Sequence, residues 1–273
     1  MPRLFDPIPD IPLWPAEPAL ARPEDAALRE HAQDDADAVL RLTDVSRPTI
    51  SLYPATGLGP RPCVLVIPGG GYGILAWNHE GTDVVHWLLA NNISAALLKY
   101  RVPDRRDQAL ADARRAMRLL RANAAAWNLD PARLGALGFS AGGHLALRTS
   151  CATDPDYPHA DAADELSERP DFLVLVYPAY IDAPGGGTAP DLALDRPLGP
   201  VFVCHSCDDF YADSPLALAL ALRKAHASFE YHAFPSGGHG WGMVREAGKP
   251  YSVWPELAAD WLRRTLPGLG ANP

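Results

Sequence analysis

No apolar run in this chain approaches the ~18 residues that a membrane-crossing helix requires. The opening MPRLFDPIPDIPLWP lacks the basic stretch followed by an apolar one that marks a secretion signal. A soluble protein is therefore expected, cytoplasmic as it stands or secreted if a signal has been removed. Basic charge is also short: 24 Lys and Arg against 33 Asp and Glu leave a net charge of -9. That balance argues against nucleic acid or an anionic membrane as a partner. Cysteine is sparse, and Cys63, Cys151, Cys204 and Cys207 are scattered. The last two form a CxxC inside HSCDD rather than ahead of a helix in a thioredoxin-like unit, so free thiols are expected. No His/Cys/Asp group has metal-ligand spacing, and neither a metal nor a cofactor is expected. There is no internal repeat and no low-complexity tract long enough to be a linker.

What remains is a globular chain. Its 273 residues are 48% hydrophobic, enough for a sizeable core. The first 40 are proline-rich and then acidic, and are expected to form an arm packed on one domain spanning 41–273. From residue 49 the pattern changes. Short apolar or β-branched runs at 49–53, 63–67, 93–100, 134–139, 172–177, 201–205 and 229–234 read as strands. Helical stretches at 81–91, 107–127, 141–149, 214–227 and 255–265 alternate with them. In the second helix Ala109, Ala113, Ala116 and Leu120 mark one face of a 3.6-residue period. Such alternation specifies a mostly parallel sheet with helices on both faces, because right-handed crossovers wind them onto either side. The glycines at 185–187 fall in an irregular stretch between strands and read as a surface loop.

Ligands of such sheets sit beyond the carboxyl ends of the strands, so each strand's exit residues matter. The strand at 63–67 exits into PGGGY, that at 134–139 into Ser140, that at 201–205 into Cys207, Asp208 and Asp209, and that at 229–234 into PSGGHGWG with His239. Gly138-Phe139-Ser140-Ala141-Gly142 is GxSxG set between strand and helix. That turn projects a hydroxyl above the sheet and aims a helix N-terminus at the developing oxyanion. His239, just past the last strand, stands where a general base can reach Ser140. Asp208 and Asp209 are both candidates to orient it, and only one can face its Nδ1–H. The consecutive glycines after Pro68 can expose backbone N–H groups, chiefly those of Gly70 and Gly71, to join Ala141 in an oxyanion hole. Tyr72, Trp77, Phe210, Tyr211 and Trp241 would surround the site, either stacking on sugar rings or packing the loops. His79 and Glu80 could contact substrate, although a structural hydrogen bond is the better-founded role.

The motifs PGGGY, WNHEG, LLKYRVP, DARRAMRLLRANAAAWNLDPARLGALGFSAGGHLA, RPDFLVLVYP, HSCDD and FPSGGHGWG together resemble the carbohydrate acetyl esterase (acetylxylan esterase, feruloyl-esterase-like) branch of the α/β-hydrolases. The likeness runs from about Ile11 to Trp261 and includes IPLWP. It implies an α/β-hydrolase fold without a large lid, a Ser140, Asp209 and His239 triad, and an acyl-enzyme on Ser140. Asp209 is favoured over Asp208 because the acid of such enzymes lies four residues past a histidine ending the strand, here His205. The departure is DDFYAD, where the family has DD followed by a small apolar V-P turn. The implied substrate is a small or oligosaccharide ester such as acetylated xylan. A broader carboxylesterase, an amidase or peptidase on the same fold, and a silent binding module are the alternatives.

Overall fold

The computed structural model describes residues 7–16, 18–34, 38–57, 59–153, 156–195 and 197–268. Among the described residues, eleven strands run in chain order: β1 (Ile8–Pro12), β2 (His31–Asp34), β3 (Leu40–Thr43), β4 (Thr49–Tyr53), β5 (Arg61–Ile67), β6 (Leu75–Ala76), β7 (Ser94–Lys99), β8 (Leu129–Phe139), β9 (Leu173–Val176), β10 (Val201–Ser206) and β11 (Phe229–Phe234). The α-helices are α1 (Asp83–Ala90), α2 (Arg106–Ala122), α3 (Ala141–Cys151), α4 (Asp213–Lys224) and α5 (Trp254–Thr265).

Eight strands form one sheet in the order β1-β4-β7-β5-β8-β9-β10-β11. From β7 to β11 every neighbour is parallel, while β1 and β4 add antiparallel at one edge. The period of two along each strand splits the core into two layers. Leu65, Ile67, Ala136, Leu173, Leu175, Val201 and Val203 face one side with Ala113 and Met117 of α2, Leu145 of α3 and Leu218 of α4. Val64, Val66, Leu137, Phe139, Val174, Val176 and Phe202 face the other with Val84 and Leu88 of α1 and Trp254 and Trp261 of α5. Both faces are covered, which is why these strands read as continuous apolar runs rather than alternating ones.

Residues 1–6, 17 and 35–37 of the expected arm lie outside the described residues. Ile8–Pro12 hydrogen-bonds onto β4 as an edge strand, where its prolines cost no ladder bond. Trp14 follows, buried, and its indole N–H donates to Asp112 Oδ1 at 2.9 Å. Asp112 is also gripped by Arg101 at 2.7 and 2.9 Å, and Arg101 donates to the Ala19 carbonyl at 2.7 Å. This buried pair ties the N-terminal segment to β7 and α2. A second, three-stranded sheet, β2-β3-β6, braces the loop after β5. Among the described residues no helix is long and apolar enough to cross a membrane.

Candidate active site

The site forms at the carboxyl edge of the parallel strands. Ser140 sits at φ 50° and ψ -120° between β8 and α3, a conformation costly for a non-glycine residue and held only by the surrounding packing. The two motif glycines explain how. A Cβ on Gly138 would lie 2.2 Å from the Gly142 carbonyl oxygen, and one on Gly142 would lie 2.1 Å from that of Ile67. No side chain fits at either place, so β8, α3 and β5 approach as closely as a sharp turn demands. The Ser140 N–H donates to the Val176 carbonyl at 3.0 Å, which fixes the turn against β9.

Ser140 Oγ lies 2.8 Å from His239 Nε2, and His239 Nδ1 lies 2.7 Å from Asp209 Oδ2. The Asp209 side chain is 1% exposed, and its other oxygen accepts the Tyr211 N–H at 2.8 Å. A carboxylate only accepts, so Nδ1 carries the proton and Nε2 is free to accept from the serine hydroxyl. Asp208 turns the other way. It is exposed, and its Oδ1 accepts the Gly238 N–H at 2.8 Å. The Gly237 and Gly238 amides hold its carboxyl below the usual aspartate range, and they do so on the loop that carries His239. The structure therefore brings Asp209, not Asp208, to the imidazole.

The loop after β5 passes beside the serine, since a Cβ on Gly69 would lie 3.0 Å from Ser140 Cβ. Gly70 and Gly71 adopt φ 122° and 65°. The Gly70 carbonyl closes the turn by accepting from Gly73 at 2.9 Å and Ile74 at 3.1 Å. Among the described residues, no hydrogen bond uses the N–H of Gly70, Gly71 or Ala141. These three N–H groups thus carry no hydrogen bond, and that of Ala141 follows Ser140 at the positive end of α3.

The five aromatic residues separate. Phe210, 78% exposed, and Tyr211 each place their ring 5.1 Å from that of His239. Trp77 is half-buried and packs against both core layers. Tyr72 is buried, with its hydroxyl 2.9 Å from His144 Nδ1. Trp241 is buried too: it stacks on Tyr251 at 5.1 Å, and its indole N–H donates to Ser206 Oγ at 3.2 Å. Of the two roles considered for Tyr72 and Trp241, their burial at 1% and 5% exposure fits packing.

Some residues at the site were not anticipated. Tyr177 directly follows β9 beside the serine turn, with its ring 4.9 Å from that of His239. Its place at a strand's carboxyl end was the available signal. Tyr180 donates no contact legible from spacing, yet its hydroxyl accepts from Tyr211 at 3.2 Å. One helical turn beyond Ser140 a cleft of about 430 Å³ opens, lined by Asp104, Arg106, Asp107, His144, Arg148 and Asp191. The Arg106 guanidinium lies 5.0 Å over the Tyr72 ring and 4.5 Å over that of Tyr180, a cation–π arrangement that pins it at the cleft wall.

The BD-FAE family model matches residues 51–167, the stretch from β4 through the serine turn and α3. The acetyl ester-xyloside bifunctional hydrolase of Caldicellulosiruptor lactoaceticus superposes with a TM-score of 0.75 at 31% identity, over 93% of this chain and 95% of that one. The chain belongs to the α/β-hydrolases, in their acetylxylan esterase-like branch. Two curated proteins also match. An acetylxylan esterase of Xylanibacter ruminicola is 34% identical over 42% of this chain. The endo-1,4-beta-xylanase B of Butyrivibrio fibrisolvens is 31% identical over 66% of it. The chain spans only 22% and 32% of those two proteins, so the likeness concerns this α/β-hydrolase unit and not their full length.

Proposed function

We propose that this α/β-hydrolase is a serine esterase that removes short acyl groups, acetyl above all, from carbohydrate esters such as acetylated xylan. The observation that carries the reading is the unbroken line from Ser140 Oγ through His239 to Asp209, at 2.8 and 2.7 Å, beside open N–H donors. Ser140 Oγ attacks the ester carbonyl while His239 Nε2 takes its proton. The oxyanion settles on the N–H groups of Gly70, Gly71 and Ala141. The imidazolium, held by Asp209, returns the proton to the departing alcohol, leaving an acetyl-serine. Water then enters, gives a proton to His239 and releases acetate, and the serine recovers its hydrogen. In comparable sites one oxyanion donor is worth about 3 kcal/mol.

The alcohol side is supported by the cleft that His144 lines, one helical turn beyond Ser140. All six residues that line it are ionisable, which suits the hydroxyl groups of a sugar and not an acyl chain of lipid length. The acetyl preference and the carbohydrate preference are tested together. Rates on p-nitrophenyl acetate, butyrate and octanoate are expected to fall with chain length, and acetylated xylo-oligosaccharides are expected to surpass aryl acetates in kcat/KM. An optimum at the octanoate would contradict the first. Acetate release from aryl esters alone would contradict the second.

A further inference from the structure

Glu80 is buried beside the triad and takes no part in the steps above. It belongs to a single π-helical turn, Asn78–Thr82, a geometry that is rare and concentrated at functional sites. Its carboxylate links the two loops that the chemistry needs, one directly and the other through Tyr177. Oε2 accepts the Gly69 N–H at 2.8 Å, at the root of the glycine loop. Oε1 accepts the Tyr177 hydroxyl at 2.7 Å, and Tyr177 in turn accepts the Gly242 N–H at 2.8 Å, three residues past His239. Burial, then the adjacent Glu80 carboxylate, push the Tyr177 phenol well above its usual range, so its proton stays in place to donate.

His79 grips the same second loop through different atoms. Its carbonyl accepts the Met243 N–H at 2.9 Å, and its Nε2 donates to the Gly240 carbonyl at 3.2 Å. The approach is so close that a Cβ on Gly242 would lie 2.4 Å from His79 Cδ2. Neither His79 nor Glu80 reaches solvent, at 7% and 3% exposure.

We infer that His79 and Glu80 act as a positioning clamp that sets the distance between the oxyanion donors and the general base. This rests on the serine-esterase reading above. The oxyanion loop leaves β5 and the base loop leaves β11, with β8, β9 and β10 between them. Strand pairing alone therefore cannot hold the two loops in register. The Glu80 carboxylate, bonded to Gly69 directly and to Gly242 through the Tyr177 hydroxyl, does. Misplacing a reacting group by about 1 Å costs on the order of 10²-fold in rate, so a clamp of this kind acts on kcat and leaves ground-state substrate contacts alone.

Glu80→Gln tests it. Glutamine keeps the shape but replaces one of the two acceptors with a donor, so the Gly69 and Tyr177 bonds cannot both survive unchanged. The expected result is a fall in kcat for p-nitrophenyl acetate of roughly 10- to 100-fold, with KM near the wild-type value. Affinity for methylboronic acid, whose tetrahedral serine adduct mimics the oxyanion, should fall in parallel. Tyr177→Phe, which removes the hydroxyl joining Glu80 to Gly242 and leaves the Gly69 bond in place, is expected to lower kcat in the same sense. The double variant should be little worse than the poorer single one, because both changes break one chain of contacts. A folded Glu80→Gln or Tyr177→Phe protein with undiminished kcat would overturn the clamp, as would additive losses or a change confined to Tm. Ser140→Ala, assayed alongside, separates the two readings. If it stays active the esterase mechanism is wrong, and if it is dead while Glu80→Gln is fully active only the clamp fails.

Discussion

Replacing Asp209 by asparagine should be far more damaging than the same change at Asp208, and the hydrogen bonds around Asp209 say why. Its Oδ1 accepts the Tyr211 N–H while Oδ2 accepts from His239 Nδ1. An asparagine could offer its oxygen to only one of these. Turned toward His239, it would set its NH2 against the Tyr211 N–H, donor against donor in a position 1% exposed. The favoured orientation keeps the oxygen on Tyr211 and presents NH2 to Nδ1. The imidazole must then accept at Nδ1 and carry its proton on Nε2, where it can no longer take one from Ser140. Loss of the orienting carboxylate in comparable triads costs ~10⁴ in turnover, equivalent to about 5 kcal/mol of barrier. Asp208→Asn keeps a carbonyl oxygen for Gly238 and gives up only an exposed charge, so its kcat should stay within a few-fold of wild type. The assay is kcat on p-nitrophenyl acetate, with Tm measured to confirm that both variants fold. The reverse ranking, or two equally mild variants, would refute the assignment of the acid.

Acid should act on stability through Asp164. Burial alone would raise its carboxyl, but hydrogen bonds from Tyr157, the Ala160 N–H and Arg115 outweigh this and pull it down to about 2. A depressed carboxyl stabilises the fold fully above its unfolded value near 4 and loses that contribution as pH falls toward 2, here about 2 kcal/mol. Urea midpoints across that interval should show the slope, and Asp164→Asn should flatten it; an unchanged slope would place the acid sensitivity elsewhere. Gly142→Ala should abolish activity or folding, because its Cβ would lie 2.1 Å from the Ile67 carbonyl. A folded, fully active Gly142→Ala protein would contradict the close approach at the serine turn.

The parallel half of the sheet was legible because strands covered on both faces are apolar throughout, as in CVLVI and FLVLVY, and need no partner to be recognised. Ser140, the DD pair and His239 were legible because each leaves a strand at the same edge. The N-terminal strand was not. IPDIP contains two prolines that its edge position tolerates, and the small β2-β3-β6 sheet is built from segments too short and polar for a period to register. Spacing from His205 favoured Asp209 over Asp208, and in the structure Asp209 faces His239 while Asp208 accepts from the Gly238 amide. Trp241 shows the limit from the other side. Its neighbourhood to His239 in sequence left sugar stacking and loop packing both open, and contacts with Ser206, Tyr251 and Trp254 draw it into the core. The Glu80 bonds to Gly69 and Tyr177 join residues 11 and 97 positions apart, beyond what a local pattern conveys.

The central claim is that Ser140 carries the acyl group. Mixing the protein with p-nitrophenyl acetate, quenching in acid within the first turnovers and mapping the peptides by mass tests it directly. The mass of one acetyl group is expected on the peptide that holds Ser140, and Ser140→Ala should show neither that label nor turnover. An acetyl group found on another residue, or hydrolysis at the wild-type rate by Ser140→Ala, would contradict it.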